Sequence, residues 1–278
     1  MSKAGRLTTD KWGAYAPVHS PAVQRSPLYF RNTETVTITW TTDENAILDM
    51  LPPMLSLHEP ATAFMVMENN HWSTVGPYRE VFAGVLCEWE GKVYSYLAGL
   101  YCTSETSQIV DRELYGFGKK QAHRIEVVTH NDGYVEALMD VKPDDRAIRA
   151  MMRPEKHGAS GDGSAPPLIN LRVIADVEGG DLPILAQLVT LNYQSNPIVG
   201  SDGKVEIFNG PGNLQFGAPS DCALPIKELI SFEYGHVNAE LYYGKVEKTF
   251  ATEELQTMNS KTEEKIHPSY RVDLARDR

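Results

Sequence analysis

The chain has 278 residues, 42% of them apolar, and its 26 basic and 37 acidic side chains leave a formal charge of −11. That length suits one domain of the all-β or mixed kind, with enough apolar side chains for a sizeable core. So acidic a balance argues against nucleic acid or an anionic membrane as the main partner, and any site for an anionic substrate must create its own positive potential.

Cys87, Cys102 and Cys222 are scattered and odd in number, which fits a reducing compartment rather than a disulfide framework. The opening "MSKAGRLTTDKWG" lacks the apolar core of a signal peptide, and no apolar run approaches the roughly 20 residues of a membrane span. The expectation is a cytoplasmic protein.

Residues 1–24 are polar, carry Pro17 and Pro21, and read as an arm. Thr35 to Trp40, "TVTITW", alternates strictly: Val36, Ile38 and Trp40 share one face of a half-buried strand. Thr41 and Glu44 form a capping-box pair for a short helix over "DENAILDML", which Pro52 and Pro53 stop. Residues 81–101 predict two strands joined around Glu90-Gly91. A second hairpin is expected over 125–139, with Asp132-Gly133 at the turn. "KPDDRAIRAMMRPEK" predicts a helix, with Pro143 in its first turn and Pro154 near its end. The segment 157–167, "HGASGDGSAPP", is a flexible loop by composition. It reads as an insertion, because strand signals resume at "LINLRVIADV". "PILAQLVTLNY" and "AELYYGKVEKTF" are further strands, and 251–278 reads as a surface helix with a polar tail. Many short strands and few helices imply a single domain of mostly antiparallel β or α+β class, with an arm (1–24), a core (25–250) and a tail (251–278).

The chemistry concentrates in "DRELYGFGKKQAHRIEV", residues 111–127, where Lys119 and Lys120 stand side by side. A lysine amine attacks a carbonyl only when neutral, and its ordinary pKa leaves roughly 0.1% neutral at pH 7. Apolar burial and a nearby like charge both lower that pKa. Two ammonium groups about 6 Å apart at an effective dielectric of about 20 repel by about 2.8 kcal/mol, worth about two pKa units. Successive side chains on a strand point to opposite faces, however, and a lysine pair is also an ordinary surface feature.

"RELYGFGKK" resembles the lysine motif of the acetoacetate decarboxylase family. "SPLYFRNTETVTITWTTDENAILDMLPP" is similar to that family's opening strand, helix and proline stop. "GPYREV" resembles its carboxylate segment and "LPIKELISFEYGHVNAEL" its closing strands. Together these cover roughly residues 25–250. The resemblance implies antiparallel sheets around a closed, barrel-like core with few helices, in a homo-oligomer. It implies that Lys119 forms a Schiff base, that Lys120 helps depress its pKa, and that Glu80 is the catalytic glutamate. Activation of one lysine by a cationic neighbour is taken over with the resemblance.

Some positions depart from the family. Thr33 stands where an ungapped comparison puts a substrate-holding arginine; Arg31, two residues earlier on the same strand face, is the candidate replacement. Met65 stands where a second glutamate is expected, with Glu68 nearby, and Gly118 replaces a proline. Phe117 is the candidate apolar wall, and Tyr243, beside Tyr242 in a late strand, the candidate inward phenol. Arg112 reads as an ion-pair partner that fixes the lysine loop. The glycine-rich stretch 208–219 does not fit a phosphate-cradling loop, and the eight histidines show no paired ligand spacing.

The expected function is Schiff-base lyase chemistry on a small oxo acid, first of all decarboxylation of a β-keto acid, with no metal or organic cofactor. The alternatives are an aldolase-dehydratase condensing pyruvate-like 2-oxo acids with aldehydes, and a non-catalytic ligand-binding member of the fold.

Overall fold

The computed structural model describes residues 2–21, 23, 25–158, 165–179, 182–217 and 220–259. The strands in chain order are β1 (Leu28–Thr41), β2 (Ser56–Leu57), β3 (Thr62–Ser73), β4 (Tyr78–Trp89), β5 (Lys92–Cys102), β6 (Lys119–Gln121), β7 (Arg124–Thr129), β8 (Val135–Lys142) and β9 (Asp145–Met152). They continue as β10 (Lys156–His157), β11 (Leu168–Ile174), β12 (Leu185–Leu191), β13 (Tyr193–Pro197), β14 (Ile207–Asn209), β15 (Gly212–Phe216), β16 (Glu228–Leu241) and β17 (Lys245–Thr249). The helices are short: α1 (Glu44–Leu48), α2 (Glu105–Val110), which runs into a π-helical turn (Asp111–Tyr115), and α3 (Thr252–Asn259). No helix among the described residues is long and apolar enough to cross a membrane.

Thirteen strands form one sheet, ordered β10-β14-β16-β1-β3-β4-β5-β11-β12-β17, with β13 on β16, β2 on β4 and β6 on β5. Four more form a second sheet, β15-β9-β8-β7. The chain is mostly β with few helices, as expected, but neither sheet closes into a barrel. The large sheet ends at β10 and β17, which do not pair with each other. Both are short strands rich in charged or imidazole side chains, the kind that blunts an open edge.

The core explains why closure is not needed. Val36, Ile38 and Trp40 of β1, Met65 and Met67 of β3, and Val81, Ala83 and Val85 of β4 are buried on one face of the large sheet. They pack on Ile125, Val135, Ala137, Ile148 and Ala150 of the small sheet, giving a sandwich. The opposite face of the large sheet carries a second cluster, in which Leu28, Phe30, Tyr78, Leu100 and Cys102 meet Val110, Tyr115 and Phe117 from α2, its π turn and the loop that follows.

Both expected hairpins form, around Glu90-Gly91 and Asp132-Gly133. Two local expectations are corrected. The stretch 142–156 is not a helix: it is the end of β8, a tight turn with Asp144 at φ 61°, then β9 and β10. Ile148, Ala150 and Met152 alternate inward, while Arg146 and Arg149 reach across to Asp140 and Glu136 of β8. The cap of α1 is Asp43, whose carboxylate accepts from the N–H groups of Asn45 and Ala46; Thr41 is still strand. The predicted tail helix is α3; residues 260–278, and 159–164 of the predicted loop, lie outside the described residues.

Candidate active site

Local sequence sets the position of Lys119. Ser104 caps α2 by accepting from the N–H of Ser107 at 3.3 Å. The helix widens into the π turn and ends at Gly116, whose φ of 74° suits glycine. The N–H of Phe117 returns to the carbonyl of Asp111 at 3.0 Å, and Asn170 donates to the carbonyl of Gly116 at 2.8 Å. Gln108 and Arg112 donate to the carbonyl of Lys119 at 3.0 and 3.2 Å. Arg112 thus holds the lysine loop through this carbonyl, by a hydrogen bond rather than the expected ion pair.

β6 then pairs in parallel with β5, Leu100 beside Lys119 and Tyr101 beside Lys120. Alternation puts the two lysines on opposite faces of the sheet. Lys119 shares the face of Leu100, under α2. Lys120 shares the face of Tyr101; its ammonium pairs with Asp221 and lies 5.8 Å from the Tyr101 ring. The two amines therefore have separate partners, on opposite faces of the sheet.

Lys119 is 1% exposed. Its ammonium donates to Glu80 at 2.6 Å and to Ser107 at 3.0 Å, and it is paired with Asp111. Its nitrogen lies 5.4 Å from the centre of the Tyr78 ring. An ammonium has three N–H donors, and here three oxygen partners take them. The second oxygen of Glu80 accepts from the Tyr78 hydroxyl at 2.7 Å and from Asn70 at 3.3 Å. Asn70 in turn accepts from Thr33 at 2.8 Å. Glu68 stands directly opposite Glu80 in the β3–β4 register, and both are buried.

Two buried carboxyl groups thus pair with one ammonium, a third lies opposite Glu80, and the site holds its protons tightly. Burial lowers the pKa of Lys119, but Asp111 and Glu80 outweigh it and carry the amine above its ordinary value. Burial raises Asp111, against the pull of Lys119. Burial first, and the Glu80 charge second, push Glu68 up to about 8. Burial and the same charge put Tyr78 well above an ordinary phenol, so it remains a donor.

The structure brings Lys119, Glu80 and Glu68 together. Phe117 is buried in the cluster beside the lysine, its ring 5.9 Å from that of Tyr115. Lys120, Arg31 and Tyr243 are placed elsewhere. Asn32 has φ 52°, and a bulge between Phe30 and Thr33 breaks the alternation of β1 against β16. Thr33 therefore turns inward, while Arg31 pairs with Glu240 at 2.8 Å. β16 ends at Leu241, and the backbone that follows packs closely at Gly244, where a Cβ would sit 2.7 Å from the carbonyl oxygen of Thr190. Tyr243 follows the strand, is 51% exposed, and lines a surface cavity of about 240 Å³ with Leu114, Tyr115 and Arg172.

Sequence reasoning missed Asp111, Ser107, Tyr78 and Asn70. One signal was available: Ser107 and Asp111 are four apart, one helical turn, and so face the same way. Among the described residues no cluster of metal-ligating side chains occurs.

The family model described as acetoacetate decarboxylase matches residues 15–249. The chain is 28% identical over 240 residues to acetoacetate decarboxylase from Clostridium acetobutylicum, covering 83% of this chain and 92% of that protein. In structure it is similar to an acetoacetate decarboxylase from Legionella pneumophila, with a TM-score of 0.73, 22% identity, and coverage of 90% of this chain and 99% of that one. It also resembles the enduracididine biosynthesis enzyme MppR complexed with the condensation product of pyruvate and imidazole 4-carboxaldehyde, with a TM-score of 0.67, 18% identity, and coverage of 88% and 98%. The family match spans the whole β core, including the π turn, the lysine strand and both glutamate strands, and the chain belongs to the acetoacetate decarboxylase family of enzymes.

Proposed function

We propose that this enzyme is a Schiff-base lyase for a small oxo acid, with Lys119 as the nucleophile and decarboxylation of a β-keto acid as its reaction. The observation that carries the reading is the buried Lys119 amine held 2.6 Å from Glu80, both in segments that resemble the family's motifs and lie within the matched range. The neutral amine attacks the ketone and forms an imine. The imine nitrogen accepts the electron pair released as CO₂ departs, Glu80 returns a proton to the enamine carbon, and water frees the ketone. No step of this chemistry calls for a metal or organic cofactor. Assembly as a homo-oligomer in the cytoplasm belongs to the same reading.

A second reading, aldol condensation and dehydration of a pyruvate-like 2-oxo acid with an aldehyde, is favoured by a specific observation. Thr33 bonds Asn70 and Arg31 bonds Glu240, so neither supplies a cation to hold a leaving carboxylate. The MppR complex, in which pyruvate has condensed with an aldehyde, supports the same direction. Incubation with acetoacetate, and with pyruvate plus an aldehyde, followed by borohydride reduction, peptide mapping and product analysis, tests both. The expected result is an adduct at Lys119 and CO₂ release from acetoacetate. A condensation product without CO₂ release selects the second reading. No adduct with any of these compounds overturns Schiff-base chemistry and leaves a ligand-binding member of the fold.

A further inference from the structure

Imine formation needs a proton carrier that the scheme above does not name. Lys119 must lose a proton before it attacks, and the carbinolamine hydroxyl must gain one to leave as water. Glu80, which serves the later protonation of carbon, is held at both oxygens: one is on Lys119, while the other is held by Tyr78 and Asn70 opposite Glu68. Asp111 is not. It approaches the amine from the π turn rather than from the sheet, it is 6% exposed, and among the described residues Lys119 is the side chain that pairs with it. Single-turn π segments recur at functional sites because they re-aim side chains out of the helical order.

We propose that Asp111 carries this proton: it accepts one from the Lys119 ammonium and gives it back to the hydroxyl that leaves. The proposal rests on the Schiff-base reading of Lys119. In the first step an N–H bond breaks and an O–H bond forms on Asp111, leaving a neutral amine and a carboxylic acid. The amine lone pair forms the C–N bond while the carbonyl π pair moves to oxygen, and one amine proton passes to that oxygen. Asp111 then protonates the hydroxyl. The C–O bond pair leaves with water, and the nitrogen lone pair forms the protonated imine. Ammonium plus ketone has become protonated imine plus water, and Asp111 is again a carboxylate. Ser107, one helical turn earlier, holds another N–H of the amine and keeps it aligned. Burial raises the affinity of Asp111 for a proton, which helps it hold one between the two transfers. The titratable groups facing Asp111 are Lys119, Glu80, Tyr78, Cys102, Tyr115 and Tyr15.

The competing role is that of a counter-ion which merely keeps the amine charged. The two roles predict opposite results. Without a counter-ion the amine is more often neutral, and imine formation at neutral pH speeds up. Without a proton carrier it slows. The test is the single-turnover rate of adduct formation at Lys119, with acetone as probe and cyanoborohydride as trap, measured across about pH 6 to 8. Asp111→Asn is expected to lower that rate by about 10²–10⁴-fold, the usual contribution of general acid–base catalysis. Asp111→Glu is expected to recover part of it. A rate in Asp111→Asn equal to or above that of the wild type overturns the proposal. If the Asn variant does not fold, Asp111→Ala is assayed with added formate. Rescue by formate supports a carried proton, and wild-type speed without formate overturns it. Absence of a wild-type adduct with acetone, acetoacetate and pyruvate instead removes the Schiff-base reading itself.

Discussion

Glu68 and Glu80 face each other across neighbouring strands, in a position where two like charges are destabilising. Burial first, and repulsion from Glu80 second, lift Glu68 from the ordinary carboxylate value to about 8, and a bound proton relieves both. Between about pH 4.5 and 8 the unfolded chain has released this proton while the folded chain still holds it. The unfolded state then binds fewer protons, so stability falls as pH rises through that window. Each pH unit across which the two states differ by one proton costs about 1.4 kcal/mol, hence several kcal/mol over the whole window. Glu68→Gln removes the titration. The variant is expected to match the wild type near pH 4 and to exceed it by several kcal/mol near pH 9, measured by urea unfolding at both values. A wild-type curve parallel to that of the variant across this range would show that Glu68 titrates normally. The residue was visible in "MVMENN" only as a neighbour of Met65. An offset of three residues on a strand reverses the face, which is why Met65 lies in the inner core and Glu68 in the site.

At the scale of the element, the turn that carries Lys119 depends on two glycines with different roles. Gly116 is left-handed, and a Cβ there would sit 2.5 Å from the Cα of Arg172, a backbone atom. Gly118 has no atom within 4 Å of such a Cβ and no positive φ. Gly116→Ala is therefore expected to cost about 1–3 kcal/mol or more and to displace Lys119. Gly118→Ala is expected to be neutral, or to stabilise by about 0.4–1 kcal/mol by restricting the unfolded chain. Denaturant midpoints, with adduct yield at Lys119 beside them, check both. Equal effects at the two positions would show that contact with Arg172 does not hold the turn. Elements bounded by local signals were legible: the Glu90-Gly91 and Asp132-Gly133 hairpins follow from turn chemistry alone. The 142–156 stretch was not, because the pairing of Arg146 and Arg149 lies on the adjacent strand β8. The same limit hid the turn of Arg31, set by a bulge in β1 against β16.

For the whole molecule, the sandwich fixes one face of the large sheet as core and leaves the other for α2, the π turn and the lysine. The resemblance carried the class of this fold, but no sequence pattern distinguishes an open sheet packed on a second sheet from a closed barrel, since both alternate inward and outward with period two. Charge, by contrast, is readable from composition, and it has a consequence for catalysis. The chain carries −11, and inside the site the carboxyl groups of Glu80 and Asp111 pair with one ammonium, with Arg31 bonded elsewhere. A keto acid approaching this enzyme meets a field of its own sign. The Debye length shrinks from about 30 Å at 0.01 M salt to about 8 Å at 0.15 M, so added salt removes long-range repulsion but leaves contacts within the buried site largely intact. For a repulsion of about 1 kcal/mol, the scale of one unit charge pair at about 4 Å in water, the change is about fivefold. The kcat/KM for acetoacetate is therefore expected to rise by up to about fivefold over that range. The rate of acetone trapping at Lys119 should stay constant, because acetone is neutral. The two measurements share the nucleophile and differ in substrate charge, so a rise in both would trace the salt effect to Lys119 itself. A fall for acetoacetate alone would mean that a local positive potential at the entrance overrides the net charge of the chain.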